Sequence, residues 1–149
     1  MALDTDALQI AEGPGASLNE IPVYNASTTT AIDAYSCVIV DASNIMDDAL
    51  TNNQLAVSVP GTTTPGICIG VTQVSIPALG SGRVRWGGIT NAVAYGAITA
   101  GTVVDNCTVP SNTTKVQTHT AAQHQVGIAL ATVADGETLP ILLSLAKDA

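Results

Sequence analysis

Large aromatic side chains are nearly absent from this chain, which has no phenylalanine, one tryptophan (Trp86) and three tyrosines in 149 residues. Aromatic residues usually dominate the energetics of cores and binding surfaces. The core must instead be knitted from Val, Ile, Leu and Ala, which suits a narrow sandwich or barrel. Recognition of sugars on exposed aromatic platforms has little to work with. Cations are almost as scarce: Arg83, Arg85, Lys115 and Lys147 stand against twelve acidic residues, for a formal charge of −8. Neutralising phosphates takes clustered Lys and Arg. Nucleic acid is therefore excluded as a partner, and an anionic membrane surface by the same reasoning.

Charge of either sign is thin, at 11% of residues against roughly 25% in an average soluble domain. The surface must be covered by Thr, Ser, Asn, Gln and Ala, which fits a chain partly buried against partner chains. Cysteine is sparse and odd in number (Cys37, Cys68, Cys107) without C-x-x-C spacing, so unpaired buried thiols in a reducing compartment are expected. The start, Met1 to Asp6, places no basic region before an apolar stretch, as a secretory signal would. The apolar stretch from Ile141 to Ala146 is far short of the ~20 residues that span a bilayer. Synthesis in a cytoplasm, without export, is the expectation.

What is present is β-structure. The length predicts one domain able to bury roughly 68–70% of its unfolded surface. Residues 1–19 combine Asp4, Asp6 and Glu12 with Gly13-Pro14-Gly15 and scattered Leu3, Leu8 and Ile10. Gly-Pro-Gly breaks regular structure, so this stretch reads as an extended N-terminal arm ahead of a β domain, residues 20–149. From Glu20 onward the hydrophobic period is two. Val38 and Val40 alternate with Cys37 and Ile39, and Leu55, Val57 and Val59 with Ala56 and Ser58. Ile67, Ile69 and Val71 are expected on one face, and so are Val126, Ile128 and Leu130. Val84 and Trp86 interleave with Arg83 and Arg85. Leu139, Ile141, Leu143 and Leu145 alternate with Pro140, Leu142 and Ser144. Turns such as Pro60-Gly61, Gly80-Ser81-Gly82 and Asp135-Gly136 punctuate them. Short strands so often interrupted predict an all-β fold, a compact small barrel or sandwich. A turn or two of helix around Asn44 to Leu50 is the one exception expected.

A faint repeat runs through the chain. Val38-Ile39-Val40-Asp41 echoes Thr102-Val103-Val104-Asp105, and Gly66-Ile67-Cys68-Ile69-Gly70 echoes Gly127-Ile128-Ala129-Leu130-Ala131. Either the echo is chance in a Val/Ala/Gly-rich chain, or two duplicated halves complete one barrel.

No catalytic or metal constellation emerges. His119 and His124, five apart, lack neighbouring ligands. Asp47-Asp48 and the Asp4/Asp6 pair do not continue into a calcium loop. Gly80-Ser81-Gly82 is a hairpin turn rather than a nucleophile elbow. No enzyme activity and no cofactor are expected. One local feature has binding character: on a strand, Arg83 and Arg85 share a face and could fork onto carboxylates, beside Trp86. Arg and Trp are enriched in interface hot spots. The plainer reading keeps Trp86 in the core, with the arginines balancing acidic neighbours.

Taken with the arm, several segments carry a resemblance: Ile-Pro-Val-Tyr-Asn at 21–25, Ala-Tyr-Ser-Cys-Val-Ile-Val-Asp at 34–41 and Gly-Ile-Cys-Ile-Gly-Val at 66–71. Ala-Ile-Thr-Ala-Gly-Thr-Val-Val-Asp at 97–105 and Gly-Ile-Ala-Leu-Ala at 127–131 complete it. Over roughly residues 20–146 the chain resembles the cement, or head decoration, proteins of bacteriophage capsids. The resemblance implies a compact β domain standing as a homotrimer on the outer surface of the mature head. Its partners would be the major capsid protein and its own copies, and no catalytic residue transfers. Leu3, Leu8, Ile10, Arg83, Arg85 and Trp86 are the expected capsid or trimer contacts. The competing reading is a β-rich receptor- or carbohydrate-binding module of a phage tail or surface layer.

Overall fold

The computed structural model describes residues 19–43, 54–62, 66–120 and 124–146. Among these the fold is all-β. The first five strands are β1 (Glu20–Asn25), β2 (Cys37–Val40), β3 (Leu55–Ser58), β4 (Cys68–Thr72) and β5 (Ser81–Arg85). The second five are β6 (Ile89–Val93), β7 (Val103–Asn106), β8 (Val116–Thr118), β9 (Gln125–Ala129) and β10 (Thr138–Ala146). The helical turn expected at Asn44 to Leu50 lies outside the described residues.

Strands β1-β3-β2-β4-β5 form a closed barrel, zipped shut by antiparallel β1/β5 and parallel β1/β3. Its interior holds Val23, Ile32, Val38, Val57, Ile76 and Val84, with Ile21 and Ile69 at the margin. Each such fully buried aliphatic side chain contributes about 1.5–3 kcal/mol. The second sheet runs β6-β10-β9-β7-β8, and a parallel bridge from Ala94 to Val116 brings its two edges together.

The two sets of strands are one plan used twice. The pair Val38↔Gly70 between β2 and β4 matches Val104↔Gly127 between β7 and β9, offsets of 66 and 57 residues. The same offsets carry the bridge Ile32↔Ile76 onto Ile98↔Val133. They also carry the bond from Tyr35 N–H to Thr72 C=O onto that from Gly101 to Ala129. The bond from Trp86 N–H to Asn19 C=O becomes that from Leu143 to Gly88, offsets of 57 and 69. The sequence echo therefore marks a structural repeat, but in the wrong register. Asp41 corresponds to Cys107 and Gly127 to Gly70. The halves are also not two parts of one barrel: the first closes by itself, and the second is a five-stranded sheet whose edges meet at one bridge, a more loosely closed second barrel.

A bulge sits at the same place in both units. Partners step from Val38↔Gly70 to Ile39↔Cys68, and from Val104↔Gly127 to Asp105↔Gln125, leaving Ile69 and Val126 as the extra residues. A bulge breaks the period-two rule locally. Ile69 packs with the interior of the first barrel, whereas Val71 packs with the core of the second. Val126 is buried while Ile128 is half-exposed. The expectation that Ile69 and Val71, or Val126 and Ile128, share a face is corrected here. Beside each bulge stands a glycine pressed onto the neighbouring strand. A Cβ on Gly70 would lie 2.4 Å from the Arg85 carbonyl oxygen, and one on Gly127 would lie 2.3 Å from that of Leu142.

The barrels are fused by burial. Cys37, Cys68 and Val71, on the outer wall of the first, join the second barrel's core of Val104, Val116, Val126, Ile141 and others. Cys37 N–H donates to the Thr114 carbonyl (2.8 Å), just before β8. Gln73 Nε2 donates to Thr90 Oγ1 (2.6 Å), at the start of β6. The wall of the first barrel thus meets the end of the second at which β6 and β8 begin.

Candidate interaction surface

Strand β5 places Arg83 and Arg85 on its outer side and Val84 inside, as the alternation predicts. The two arginines do not act alike. Arg85 donates from Nη2 to Glu20 Oε1 (3.0 Å) and from Nη1 to the Ile89 carbonyl (2.9 Å), so it ties the first barrel to the start of β6. Among the described residues, the Arg83 guanidinium has no hydrogen-bond or ion-pair partner. A shared fork of both guanidinium groups is therefore not what the geometry offers. Trp86 directly follows β5 at the rim of the barrel and is 48% exposed, so it is not the core tryptophan of the plainer reading. Leu3, Leu8 and Ile10 lie outside the described residues.

The repeat uncovers a surface that the sequence did not suggest. One register row crosses the first barrel as Glu20↔Arg85↔Val71↔Cys37. The matching row of the second barrel is Ile89↔Leu142↔Ile128↔Val103. In the first barrel Val71 and Cys37 are fully buried beneath the second barrel. In the second barrel all four side chains are aliphatic and none is fully covered: Ile89 is 60% exposed, Leu142 41%, and Ile128 and Val103 are half-buried. Period-two reading had put Leu142 on the outer side of β10, but only the pairing register assembles the row.

The polar groups sit elsewhere and are structural in character. His119 Nδ1 lies 2.7 Å from Oδ1 of the fully buried Asp105, whose Oδ2 accepts from Thr120 N–H (2.8 Å). This pins the end of β8 to β7, a link between residues fourteen apart that spacing alone did not signal. An open depression of about 260 Å³ is bordered by Asn25, Ser27, Thr30 and Asp41. Its Asn25 amide already donates to the carbonyls of Thr30, Ile76 and Pro77. Among the described residues no three His, Cys, Asp or Glu side chains gather as a metal site would require. The three cysteines are unpaired and buried. Contact with the Cys68 thiol, then burial, pushes the Cys37 thiol well above its ordinary value. Burial raises the Cys107 thiol, partly opposed by the Val109 N–H. The hydrogen bond from the Cys37 thiol lowers the Cys68 thiol in turn.

These features define a tandem β protein, a closed barrel followed by a more loosely closed one, whose distinctive surface is apolar. No protein-family model and no curated protein matches the sequence. Among solved structures, the chain is similar to the N base of the head fiber gp8.5 of bacteriophage phi29. The TM-score is 0.61 at 13% identity, over 86% of this chain and 97% of that one. At this identity the likeness establishes a common fold.

Proposed function

We propose that this protein is a non-enzymatic structural component of a phage virion. It binds the outer surface of the mature head through the major capsid protein, stabilises the shell as a cement, and stands there as a homotrimer. It is made in the host cytoplasm and needs no cofactor, nucleic acid or membrane. The observation that carries the reading is the double-barrel fold, matched over most of both chains by the base of a phage head fiber. The scarcity of charge and the apolar row support a chain meant to be partly covered. Within this reading Trp86, Arg83 and the arm residues Leu3, Leu8 and Ile10 are contact residues, while Arg85 serves within the chain.

The mechanism is linkage. A ligand that binds only one state stabilises it by about 2.7 kcal/mol per site at a hundredfold excess over Kd, and it shifts only equilibria that it discriminates. Purified protein added to undecorated expanded heads should raise their disruption temperature, and unexpanded precursors should gain little. Equal stabilisation of both forms, or of neither, removes the cement mechanism. Depletion of the protein by host cells rather than by heads would promote a receptor- or carbohydrate-binding module.

A further inference from the structure

Within the chain the two barrels meet in one fashion, the wall of the first against the end of the second. The repeat means that each barrel owns both surfaces, so among the described residues one of each is left over. The leftover wall is the row Ile89, Leu142, Ile128 and Val103 on the second barrel. The leftover end belongs to the first barrel, where Trp86 occupies the position that Leu143 holds in the second, 57 residues on. Leu143 is 8% exposed beneath its neighbour, whereas Trp86 is 48% exposed and Ile67, just ahead of β4, is 50% exposed. The leftover wall is apolar along its whole row, whereas the used wall joins the buried Val71 and Cys37 to the Glu20–Arg85 ion pair; both ends are apolar, Leu143 buried and Trp86 exposed.

We propose that a second copy of this chain docks here, the Trp86 end of one copy's first barrel on the Ile89–Leu142 wall of another's second barrel. The occupant follows from continuity with the interface already present. The contact that joins barrel one to barrel two is repeated between barrel two and the barrel one of the next copy. The wall residues are uncharged, and the −8 charge of each copy is screened beyond ~8 Å at physiological salt. Such a contact is heterologous, using two different surfaces of each copy, and a closed rotation turns it into a ring. A three-membered ring is the homotrimer of the reading above. The inference deepens that reading without depending on the shell.

The test uses the full chain and the variants Trp86→Glu and Leu142→Glu, with Ile89→Glu as a second wall variant. All four are compared by sedimentation velocity in ~0.15 M salt, roughly physiological, with circular dichroism to verify the fold. The parent is expected as a single closed oligomer and each variant as a monomer. An equimolar mixture of Trp86→Glu and Leu142→Glu should form a 1:1 heterodimer, because the intact end of one meets the intact wall of the other. A monomeric parent, or association insensitive to Trp86→Glu, overturns the proposal. So does a mixture that fails to pair. Head attachment is scored separately. A chain that decorates heads yet pairs through other surfaces sinks this inference alone. One that pairs as described and ignores heads sinks the preceding reading alone.

Discussion

The first barrel closes its seam with three parallel pairs, Val23↔Leu55, Tyr24↔Ala56 and Asn25↔Val57. The second manages one bridge, Ala94↔Val116, and relies on its neighbour to cover one end. Parallel pairing of this kind joins strands far apart in sequence, and the seam of the first barrel gains its own small cluster of Tyr24, Ala26 and Ala56. Inside, the barrels reach similar packing by exchanging sizes across one pair of strands. Val23 faces Gly82 in the first, and Ala92 faces Leu139 in the second. A Cβ on Gly82 would approach Ile76 Cγ1 to 2.5 Å, whereas the matching Val133 is smaller and Leu139 fills the space. The same plan thus tolerates different residues when volume is conserved across facing positions.

The largest expected contrast lies at the paired walls. Val71→Asp buries an unpaired charge between the barrels and should cost about 3–5 kcal/mol in denaturant melts. Ile128→Asp, at the matching position on the uncovered wall, should cost under about 1 kcal/mol in the monomer. Equal costs would mean that the two walls are not counterparts. Next come the glycines at the bulges, where the barrels should agree. Gly70→Ala and Gly127→Ala each drive a methyl into a carbonyl and should lose about 2–3 kcal/mol apiece. A large difference between the two would show that one bulge relaxes and the other does not.

A smaller effect separates the loops after the first strand of each barrel. Asn25 holds three carbonyls with its amide and accepts Ser27 N–H, whereas Ala94 stands at the matching position. Asn25→Ala should therefore cost about 1–2 kcal/mol, read as a shifted urea midpoint. The smallest effect concerns a left-handed turn position held by Leu79 (φ 52°) in the first barrel and Gly136 (φ 78°) in the second. Gly136→Ala meets no atom within 4 Å and should lose about 1 kcal/mol through backbone strain alone. Leu79→Gly should stay within about 0.5 kcal/mol of the parent, because relief of strain is offset by the entropy of glycine.

Much of this was legible in the sequence, and the misses share a cause. The alternation of Leu139, Ile141 and Leu143 against Leu142 was read correctly, since β10 runs without interruption across that stretch. The all-β fold followed from the same signal. The bulges were not legible, because Ile69 and Val126 look like ordinary members of an alternating run. The repeat was visible as an echo but misregistered. The loops between β2 and β3 and between β7 and β8 differ in length, with Val40↔Val57 matched by Asn106↔Val116. Turn chemistry also hid it, because Tyr35 and Leu79 occupy the left-handed positions where Gly101 and Gly136 advertise them. The apolar row stayed hidden for a deeper reason. Its four residues come from four strands, and only pairing register brings them to one line.

The fusion of the two barrels gives the molecule a direction in time. The first barrel uses no pairing beyond Arg85 to close, so it can complete itself while the remainder of the chain is still leaving the ribosome, as N-terminal units tend to do. The second, with a single bridge across its seam among the described residues, would then condense against a wall already formed. Cys37, Cys68 and Val71 serve as the floor on which its core is laid. A nascent chain released near residue 86 would accordingly present that floor to solvent as a sticky, unfinished face.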